Sequence, residues 1–548
     1  MTDHPIRRAE SFAVLAASLA LSLAAAAWSW THSALLNYGD AVAHLHIARR
    51  VFDSHRPGLT QLGSVWLPLP HILLIPFVAV YSWWANGLAG LIPSALAYLV
   101  ACLGLYRLAR CWLRPLPAAV ALAFFAANPN LLYLQTTAMT EPLFLCEFVW
   151  IILLLVEWRT ALDNNPARAD RLLWPIALLL VASVFTRYDG WILTFLAWTF
   201  IGVLLLRRGR LRSPTFWLAT LLVLAAPVAW FAYNAAFFGD WLYFARGPYS
   251  AKAIELRTAA HGSGPLHPGW HNPWLGLLFF VKASQMDTSA LPFGNLLLFV
   301  SLCGALFGFV SFRRRAFSWS LLLWFPVPFY AYSVAYGSVP IFIPVWWPHS
   351  WYNTRYGMEV LPAFALGLGF FVRFLLAAVR EFKPSLPRIA ALLLFALVAL
   401  NAVLILRQGP LTYVESTKNF DARRPLLRQI PPVLRALLAT RPDGMLLMDT
   451  STYPQLVTRT GITLRQTINE SDKQFYQAAL AAPASHAAII LAFHGDAICR
   501  AVHAHPAGLI LVRRFTFAGQ PGASIYVSGN PSGTPAPPPP SASHPSNP

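Results

Sequence analysis

Long apolar runs separated by short polar segments make up most of the chain. A helix that crosses the hydrocarbon core of a bilayer needs about 20 predominantly apolar residues. The run 71–84 is too short for this and predicts an interfacial or re-entrant helix. The longer runs predict an α-helical polytopic membrane protein with eleven transmembrane helices, at 11–30, 87–106, 116–134, 142–158, 173–187, 190–206, 214–236, 288–311, 317–336, 356–378 and 389–406.

The pattern changes after residue 407, where hydropathy falls and apolar and polar positions begin to alternate. This alternation predicts strands at 445–449, 487–493, 509–515 and 524–528. Helical periodicity is present near 424–440, 472–480 and 496–503. We therefore predict a transmembrane domain at 1–407 with a long first outer loop at 31–86, an α/β domain at 408–530, and a disordered Pro- and Ser-rich tail at 531–548.

The composition excludes a soluble protein. Of the 548 residues, 57% are hydrophobic and 11% are charged, whereas roughly 25% of the residues in a soluble domain are charged. The net charge of +19 does not indicate nucleic-acid binding, because the Arg clusters lie between apolar runs, at 7–8, 107–114, 159–171, 207–212, 313–315 and 380–388. The positive-inside rule places these clusters and the N-terminus in the cytoplasm. The C-terminal domain then lies outside a bacterial inner membrane.

Ionisable side chains are costly near lipid, so those at the outer ends of predicted spans are candidate functional residues. Asp40 opens an amphipathic segment after the first span. Its carboxylate suits a helix N-cap, or a general base that deprotonates an incoming hydroxyl. His44 lies one helical turn later on the same face, either as an ordinary interfacial residue or as a substrate contact. The pair could contribute to a divalent metal site, but two ligands do not define one, so we assign no metal ligands.

Two further groups lie at predicted outer ends. Glu141 precedes Pro142 at the start of a span, where a carboxylate suits the helix dipole. It is also a second carboxylate on the same outer side as Asp40, as acid–base chemistry requires. Arg187 and Asp189 lie between the fifth and sixth spans and form either a structural turn or part of a binding site.

The fourth group is Arg355 with Tyr356, at the start of the tenth predicted span. The preceding outer loop is rich in aromatic residues, which is typical of the membrane interface. Arg355 therefore either pairs with lipid headgroups or holds a phosphate, since its fork of donors matches phosphate oxygens. No phosphate-binding loop motif is present, which argues against an ATP-driven pump.

Short motifs on the same predicted outer side carry a resemblance. The chain resembles the GT-C glycosyltransferases, most strongly the bacterial branch of glycosyltransferase family 39, which contains dolichyl-phosphate-mannose protein mannosyltransferases and aminoarabinose transferases. The likeness in architecture covers about residues 10–405. The motifs are Gly39-Asp40, TEPLF at Thr140–Phe144, TRYDGW at Thr186–Trp191 and TRYG at Thr354–Gly357.

The resemblance implies a GT-C fold and a polyprenyl-phosphate-sugar donor, with a glycan, lipid or protein as acceptor. Asp40 matches the family's general base, and Glu141 matches the acidic residue that follows the third span. Arg355, beside Tyr356, matches the arginine that is proposed to hold the donor phosphate. Family members often end the first loop with a Lys- or His-Pro-Pro segment, whereas this stretch ends at His71 and has no Lys. His71 is therefore a possible substrate-binding residue. Whether the protein uses a divalent metal ion as a cofactor stays open.

Two other function classes remain open. A secondary transporter or lipid-linked-glycan flippase would place ionisable residues near the middle of the bilayer and would often contain inverted repeats. A non-catalytic envelope assembly protein would use its C-terminal domain for contacts. If the protein is a glycosyltransferase that works by single displacement, we expect inversion of configuration at the anomeric carbon.

Overall fold

The computed structural model describes residues 6–259, 267–312, 317–382 and 386–529. Within these ranges the chain forms two compact units, each discontinuous in sequence. The first unit contains the chain up to Leu35, Ser64–Leu73 and Gly90–Glu415, and the second contains Leu36–Gly63, Leu74–Ala89 and the chain from Ser416. We predicted a single boundary between residues 407 and 408, whereas two parts of the predicted first outer loop belong to the second unit. The predicted tail at 531–548 and the basic cluster at 313–315 lie outside the described residues.

Helices dominate the chain up to residue 439, and many of them begin with a proline at the first helical position. Proline suits this position because the missing N–H would have no intrahelical partner there. The helices are α1 (Arg8–Thr31), α2 (Gly39–Arg50), α3 (Pro68–Val78), α4 (Tyr81–Asn86), α5 (Leu88–Arg110), α6 (Pro115–Ala126), α7 (Pro129–Leu134), α8 (Glu141–Asn164), α9 (Pro166–Thr186), α10 (Asp189–Arg207), α11 (Pro214–Phe238), α12 (Tyr243–Arg246), α13 (Ala251–Ala259), α14 (Pro273–Thr288), α15 (Gly294–Phe312), α16 (Pro326–Tyr336), α17 (Leu361–Phe382), α18 (Leu386–Gln408) and α19 (Leu411–Ala439). Short 3₁₀ segments lie at Leu59–Leu62, Phe317–Trp324 and Thr354–Val360.

Among the described residues, eight helices are long and apolar enough to cross a membrane. They are α1, α5, α9, α10, α11, α15, α17 with the preceding 3₁₀ segment, and α18 with α19. A multi-pass α-helical membrane protein is therefore confirmed. The number of spans, which we predicted to be eleven, stays a prediction.

The structure divides two of the predicted spans. The run 116–134 is broken into α6 and α7, because Asn128 accepts hydrogen bonds from the backbone N–H groups of Asn130 and Leu131 and so begins a new helix. The run 317–336 is a 3₁₀ segment followed by α16, which begins at Pro326. The run 71–84 lies in the two short helices α3 and α4. Neither helix is long enough to cross a bilayer, as we expected from the length of the run.

The structure also contains a helix that the sequence did not predict. Polar residues such as Lys282, Gln285 and Asp287 interrupt the apolar run of α14 and hide its length. This helix packs against α16 and against the 3₁₀ segment Thr354–Val360. A Cβ atom added to Gly276 would lie 2.7 Å from the carbonyl oxygen of Ala331, so the backbones of α14 and α16 approach closely.

Helices α15 and α17 also touch through glycines. A Cβ atom added to Gly304 would lie 2.0 Å from the carbonyl oxygen of Gly367, and one added to Gly367 would lie 2.2 Å from that of Ser301. Small residues let transmembrane helices approach this closely and gain van der Waals contact. The pair therefore fixes how α17 packs on α15.

We expect Gly304→Ala to destabilise the protein, because the added methyl group meets backbone that cannot rotate away. Overpacking of this kind costs about 1–3 kcal/mol. The melting temperature of the purified protein in detergent should fall. Gly202→Ala in α10 is the control, since a Cβ atom there lies 3.6 Å from the nearest atom and should leave the melting temperature unchanged. Equal melting temperatures for the two variants would contradict the role of the glycine contact.

The second unit contains a five-stranded mixed sheet with strand order β2-β1-β3-β5-β4. Its strands are β1 (Leu446–Leu447), β2 (Thr467–Ile468), β3 (Ile489–Phe493), β4 (Leu509–Phe517) and β5 (Gln520–Ser528). Its later helices are α20 (Gln455–Thr460), α21 (Lys473–Ala481), α22 (Pro483–His486) and α23 (Ala497–Ala504), with a 3₁₀ segment at Leu464–Gln466. The predicted α/β region is confirmed, and β2 was missed because this two-residue strand lies between polar residues and shows no apolar run.

The first three strands are parallel, and β5 runs antiparallel to both β3 and β4. Leu447 of β1 pairs with Ile468 of β2 on one side and with Ile490 of β3 on the other. These three side chains are buried with Ala479 and Ile498 from the covering helices. The alternating apolar positions of the sequence thus become the core of this unit.

Candidate active site

A buried cluster of charged side chains lies in the first unit, where the ends of several helices meet. Glu141 is the first residue of α8, and Asp189 is the first residue of α10. Arg187 lies in the turn between α9 and α10. The remaining members are Tyr330 of α16, Arg355, Tyr356 and Glu359 of the 3₁₀ segment, and Glu415 of α19. We call these eight residues the ionic cluster.

Arg187 is the centre of one half of the ionic cluster. Its Nε lies 3.0 Å from Oδ2 of Asp189, and its Nη1 lies 3.2 Å from Oε1 of Glu141. Its Nη2 lies 3.1 Å from Oε1 of Glu359 and donates to the hydroxyl of Tyr330 at 2.8 Å. One guanidinium therefore joins three carboxylates that come from three different elements.

Tyr330 closes this half of the ionic cluster. Its hydroxyl oxygen lies 2.6 Å from Oε1 of Glu359 and 3.0 Å from Oδ2 of Asp189. The ring stacks on Phe280 of α14, with centroids 4.8 Å apart and an interplanar angle of 11°. The unpredicted helix α14 thus helps to position Tyr330.

Arg355 is the centre of the other half. Its Nε donates to Oε1 of Glu141 at 3.0 Å, and its Nη1 donates to Oε1 of Glu415 at 2.8 Å. The other carboxylate oxygen of Glu415 accepts hydrogen bonds from the backbone N–H of Thr354, at 2.9 Å, and from the Thr354 hydroxyl. Glu141 binds both guanidiniums and so joins the two halves.

The ring of Tyr356 lies close to both guanidiniums. The Cζ atom of Arg187 is 4.9 Å from the ring centroid, and that of Arg355 is 5.1 Å from it. Cation–π contact with a shared ring is favourable for each cation at this distance. Tyr356 therefore helps to fix the relative position of the two arginines.

Burial makes the charge of the ionic cluster important. The exposed fraction is 5% for Arg355 and no more than 2% for Glu141, Asp189, Glu359 and Glu415. Four carboxylates face two guanidiniums, an excess of two carboxylates. Such a group is costly to bury unless its geometry supplies many hydrogen bonds, as it does here. Charged groups held in this way inside a membrane protein are functional candidates.

Asn130 positions Glu415 from a distance. Its side-chain nitrogen donates to the carbonyl oxygen of Asp287 at the end of α14, at 2.8 Å. Its side-chain oxygen accepts from the backbone N–H of Thr412 in the first turn of α19, at 2.9 Å. The start of α19, and with it Glu415, is therefore tied to α7 and α14.

The structure brings together five of the predicted site residues: Glu141, Arg187, Asp189, Arg355 and Tyr356. Arg187 and Asp189 form an ion pair at the turn between α9 and α10, and Glu141 is the first residue of α8. The interpretation of Arg355 as a residue that reaches lipid headgroups is wrong, because buried carboxylates hold its guanidinium.

The other predicted site residues lie elsewhere. His71 is fully buried in α3 of the first unit. Asp40 and His44 lie in α2 of the second unit, Asp40 half-buried and His44 only 4% exposed. Asp40 is the second residue of α2, whose N-cap is Tyr38, so the N-cap interpretation of Asp40 is wrong. Burial, together with the charges of Arg50 and Arg49, lowers the pKa of nearby His46 to about 3 and keeps that imidazole neutral.

Sequence reasoning missed Tyr330, Glu359 and Glu415. A signal existed for Glu359, because it is the only acidic residue in the apolar run 356–378. Glu415 was missed because it lies in the stretch 408–530, which we assigned to the α/β domain and not to a span end. Across the described ranges, no three or more His, Cys, Asp or Glu side chains form a group that could hold a metal ion.

No protein-family model and no curated protein sequence matches the chain. Solved structures do match it. ArnT from Cupriavidus metallidurans bound to undecaprenyl phosphate aligns with a TM-score of 0.54 and 13% identity, over 94% of this chain and 99% of that chain. The apo form of ArnT gives 0.54 and 14% identity, over 93% and 97%. At this identity the likeness concerns the fold, and the resemblance to the GT-C fold is thereby confirmed.

Proposed function

We propose that the protein is a membrane glycosyltransferase that transfers a sugar from a polyprenyl-phosphate-linked donor to a hydroxyl group. The observation that carries the proposal is the buried ionic cluster around Arg355 in a chain with the fold of ArnT, a protein whose structure was solved with undecaprenyl phosphate. The acceptor is a glycan, a lipid or a protein. The reaction takes place on the periplasmic face of a bacterial inner membrane, with the N-terminus in the cytoplasm.

The proposed chemistry needs no nucleotide, because a sugar linked through phosphate is already activated. The carboxylate of Asp40 takes the proton of the acceptor hydroxyl as the bond to the anomeric carbon forms. The bond between that carbon and the phosphate oxygen breaks, and Arg355 stabilises the negative charge left on the phosphate. A single displacement of this kind inverts the anomeric carbon.

The role that we propose for Glu141 differs from the one that the sequence suggested. We predicted a catalytic carboxylate, but its hydrogen bonds to Arg355 and Arg187 favour a positioning residue. Arg187, paired with Asp189, contacts the ring of Tyr356, which also contacts Arg355. His44 and His71 remain candidate substrate contacts, and a divalent metal remains an open requirement.

An apolar groove of about 550 Å³ lies between α14 and α16. It is lined by Trp274, Leu277, Pro328 and Tyr332, among others. Helix α16 also carries Tyr330 of the ionic cluster. This groove therefore supports the proposal of a prenyl chain that lies among the helices, with its phosphate near the charged residues.

We expect Arg355→Ala to raise the apparent KM for the donor at least tenfold, because the leaving phosphate loses its fork of donors. The apparent KM for the acceptor should change little. Both constants are measured with labelled polyprenyl-phosphate sugar and purified protein in detergent.

Arg355→Lys is the matched variant for this experiment. It keeps the positive charge among the buried carboxylates but loses the bidentate geometry, so we expect an intermediate donor KM. An unchanged donor KM in the alanine variant would remove Arg355 from the proposed phosphate site.

A further inference from the structure

The carboxylate of Glu415 is held like a bound ligand. One oxygen accepts from Nη1 of Arg355 at 2.8 Å. The other accepts from the backbone N–H of Thr354 at 2.9 Å and from the Thr354 hydroxyl. Thr354 is fully buried, and Glu415 is 1% exposed. Two adjacent residues thus supply a guanidinium, an amide and a hydroxyl to a single anion.

This donor set is suited to phosphate as well as to carboxylate. Charge-assisted hydrogen bonds from arginine and from backbone N–H groups bind the oxygens of either anion strongly. The two oxygens of Glu415 occupy the places that two oxygens of a phosphate would take. We call Thr354 and Arg355 the anion site.

The charges allow one anion to replace the other. Glu141 stays on Nε of Arg355, whereas Glu415 binds Nη1 and the donors of Thr354. A polyprenyl-phosphate sugar is a phosphodiester with one negative charge, as is an ionised carboxylate. Replacement of Glu415 by the donor phosphate therefore leaves the charge at the anion site itself unchanged. The displaced carboxylate has to reach water or take up a proton, since a second negative charge in the buried cluster would be penalised.

Open space adjoins the segment that carries Glu415. A cavity of about 180 Å³ is lined by Leu411 and Val414 of the first turn of α19, together with Met286, Trp351 and Gln408. Val414 directly precedes Glu415 along the chain. The first turn of α19 therefore has unfilled space on one side, while Thr412 ties its start to Asn130.

We propose that the anion site binds the donor phosphate and that Glu415 is its displaceable occupant, which competes with the lipid phosphate for Thr354 and Arg355. This inference rests on the proposed function. It adds Thr354 to the phosphate site and assigns Glu415 the role of an internal competitor that occupies the site in the absence of donor.

The test is the binding of undecaprenyl methyl phosphate, a phosphodiester with one negative charge like the proposed donor, to the full chain in nanodiscs. Glu415→Gln keeps the shape of the side chain but removes its charge. We expect about tenfold tighter binding, which corresponds to about 1.4 kcal/mol. The association rate constant should rise, because the uncharged side chain competes less with the lipid phosphate for the anion site. The dissociation rate constant should change little. A merely structural role of Glu415 would not raise the association rate.

Asp421→Asn is the matched control. It lies on the same helix and makes the same change in charge, but its carboxylate forms an exposed pair with Arg424. We expect wild-type binding in this variant. If Glu415→Gln does not fold, Glu415→Asp takes its place, since the shorter side chain keeps its charge but cannot reach both Thr354 and Arg355. The aspartate variant should show a smaller gain in the same direction.

The outcomes separate the two proposals. Unchanged or weaker binding in the Glu415 variants, with loss of binding in Arg355→Ala, overturns the competitor role and leaves the proposed function intact. Absence of binding in every variant, or wild-type binding in Arg355→Ala, overturns the phosphate site and the inference with it. Tighter and faster binding in Glu415→Gln, with loss in Arg355→Ala, supports both.

Discussion

Asp40→Asn should reduce sugar transfer by about 10²–10⁴-fold, the usual contribution of a general base. The amide has nearly the shape of the carboxylate but cannot take the proton of the acceptor hydroxyl. Asp40 lies half-buried in the first turn of α2 and is not the N-cap of that helix, so its loss should not undo the fold. Transfer is measured with labelled polyprenyl-phosphate sugar under saturating donor.

The control for this experiment is Asp443→Asn, which makes the same chemical change at an exposed position of the second unit. Both variants should elute as monodisperse protein and melt close to the wild type. Full transfer by Asp40→Asn would remove Asp40 from the mechanism, whatever the result for Arg355.

Arg187→Met should have the largest effect on stability. Its removal leaves Glu141, Asp189 and Glu359 buried without their common cation. Breaking a buried ion pair from one side costs about 3–5 kcal/mol, because an uncompensated charge remains. The melting temperature in detergent and the yield of monodisperse protein should both fall sharply.

A surface arginine provides the comparison. Arg168 pairs with Glu157 while 56% of its side chain is exposed, and such pairs contribute about 0–1 kcal/mol. Arg168→Met should therefore melt near the wild-type temperature. Adding Glu359→Gln to Arg187→Met should recover part of the loss, because it removes one of the stranded charges. Equal melting temperatures for Arg187→Met and Arg168→Met would show that the ionic cluster does not hold the first unit together.

Much of the fold could be predicted from the sequence, because a bilayer imposes strong rules. The length of the apolar runs predicted the long helices, and the alternation of apolar and polar residues predicted four of the five strands of the second unit. Breaks within apolar runs were harder to see. The division of 116–134 depends on the side chain of Asn128, and α14 is concealed by the polar residues in its second half.

The candidate site could be predicted only in part. Glu141, Arg187 and Arg355 were found because charge at the end of an apolar run is rare. Their partners were missed because the contacts join distant parts of the chain: Arg355 and Glu141 are 214 residues apart in sequence. Tyr330 gave no signal at all, since one tyrosine among many aromatic residues has no distinguishing pattern. Its role depends on the packing of α14 against α16.

The glycine contact between α15 and α17 lies close to this chemistry. Gly367 is six residues beyond the start of α17, or roughly 9 Å along the helix axis, and the segment with Arg355 and Glu359 leads directly into that start. A lipid or an inhibitor that wedged the two helices apart would therefore displace both side chains without touching either. The buried glycine contact is thus a place from which a change in helix packing reaches the charged side chains, although it contains no charged group itself.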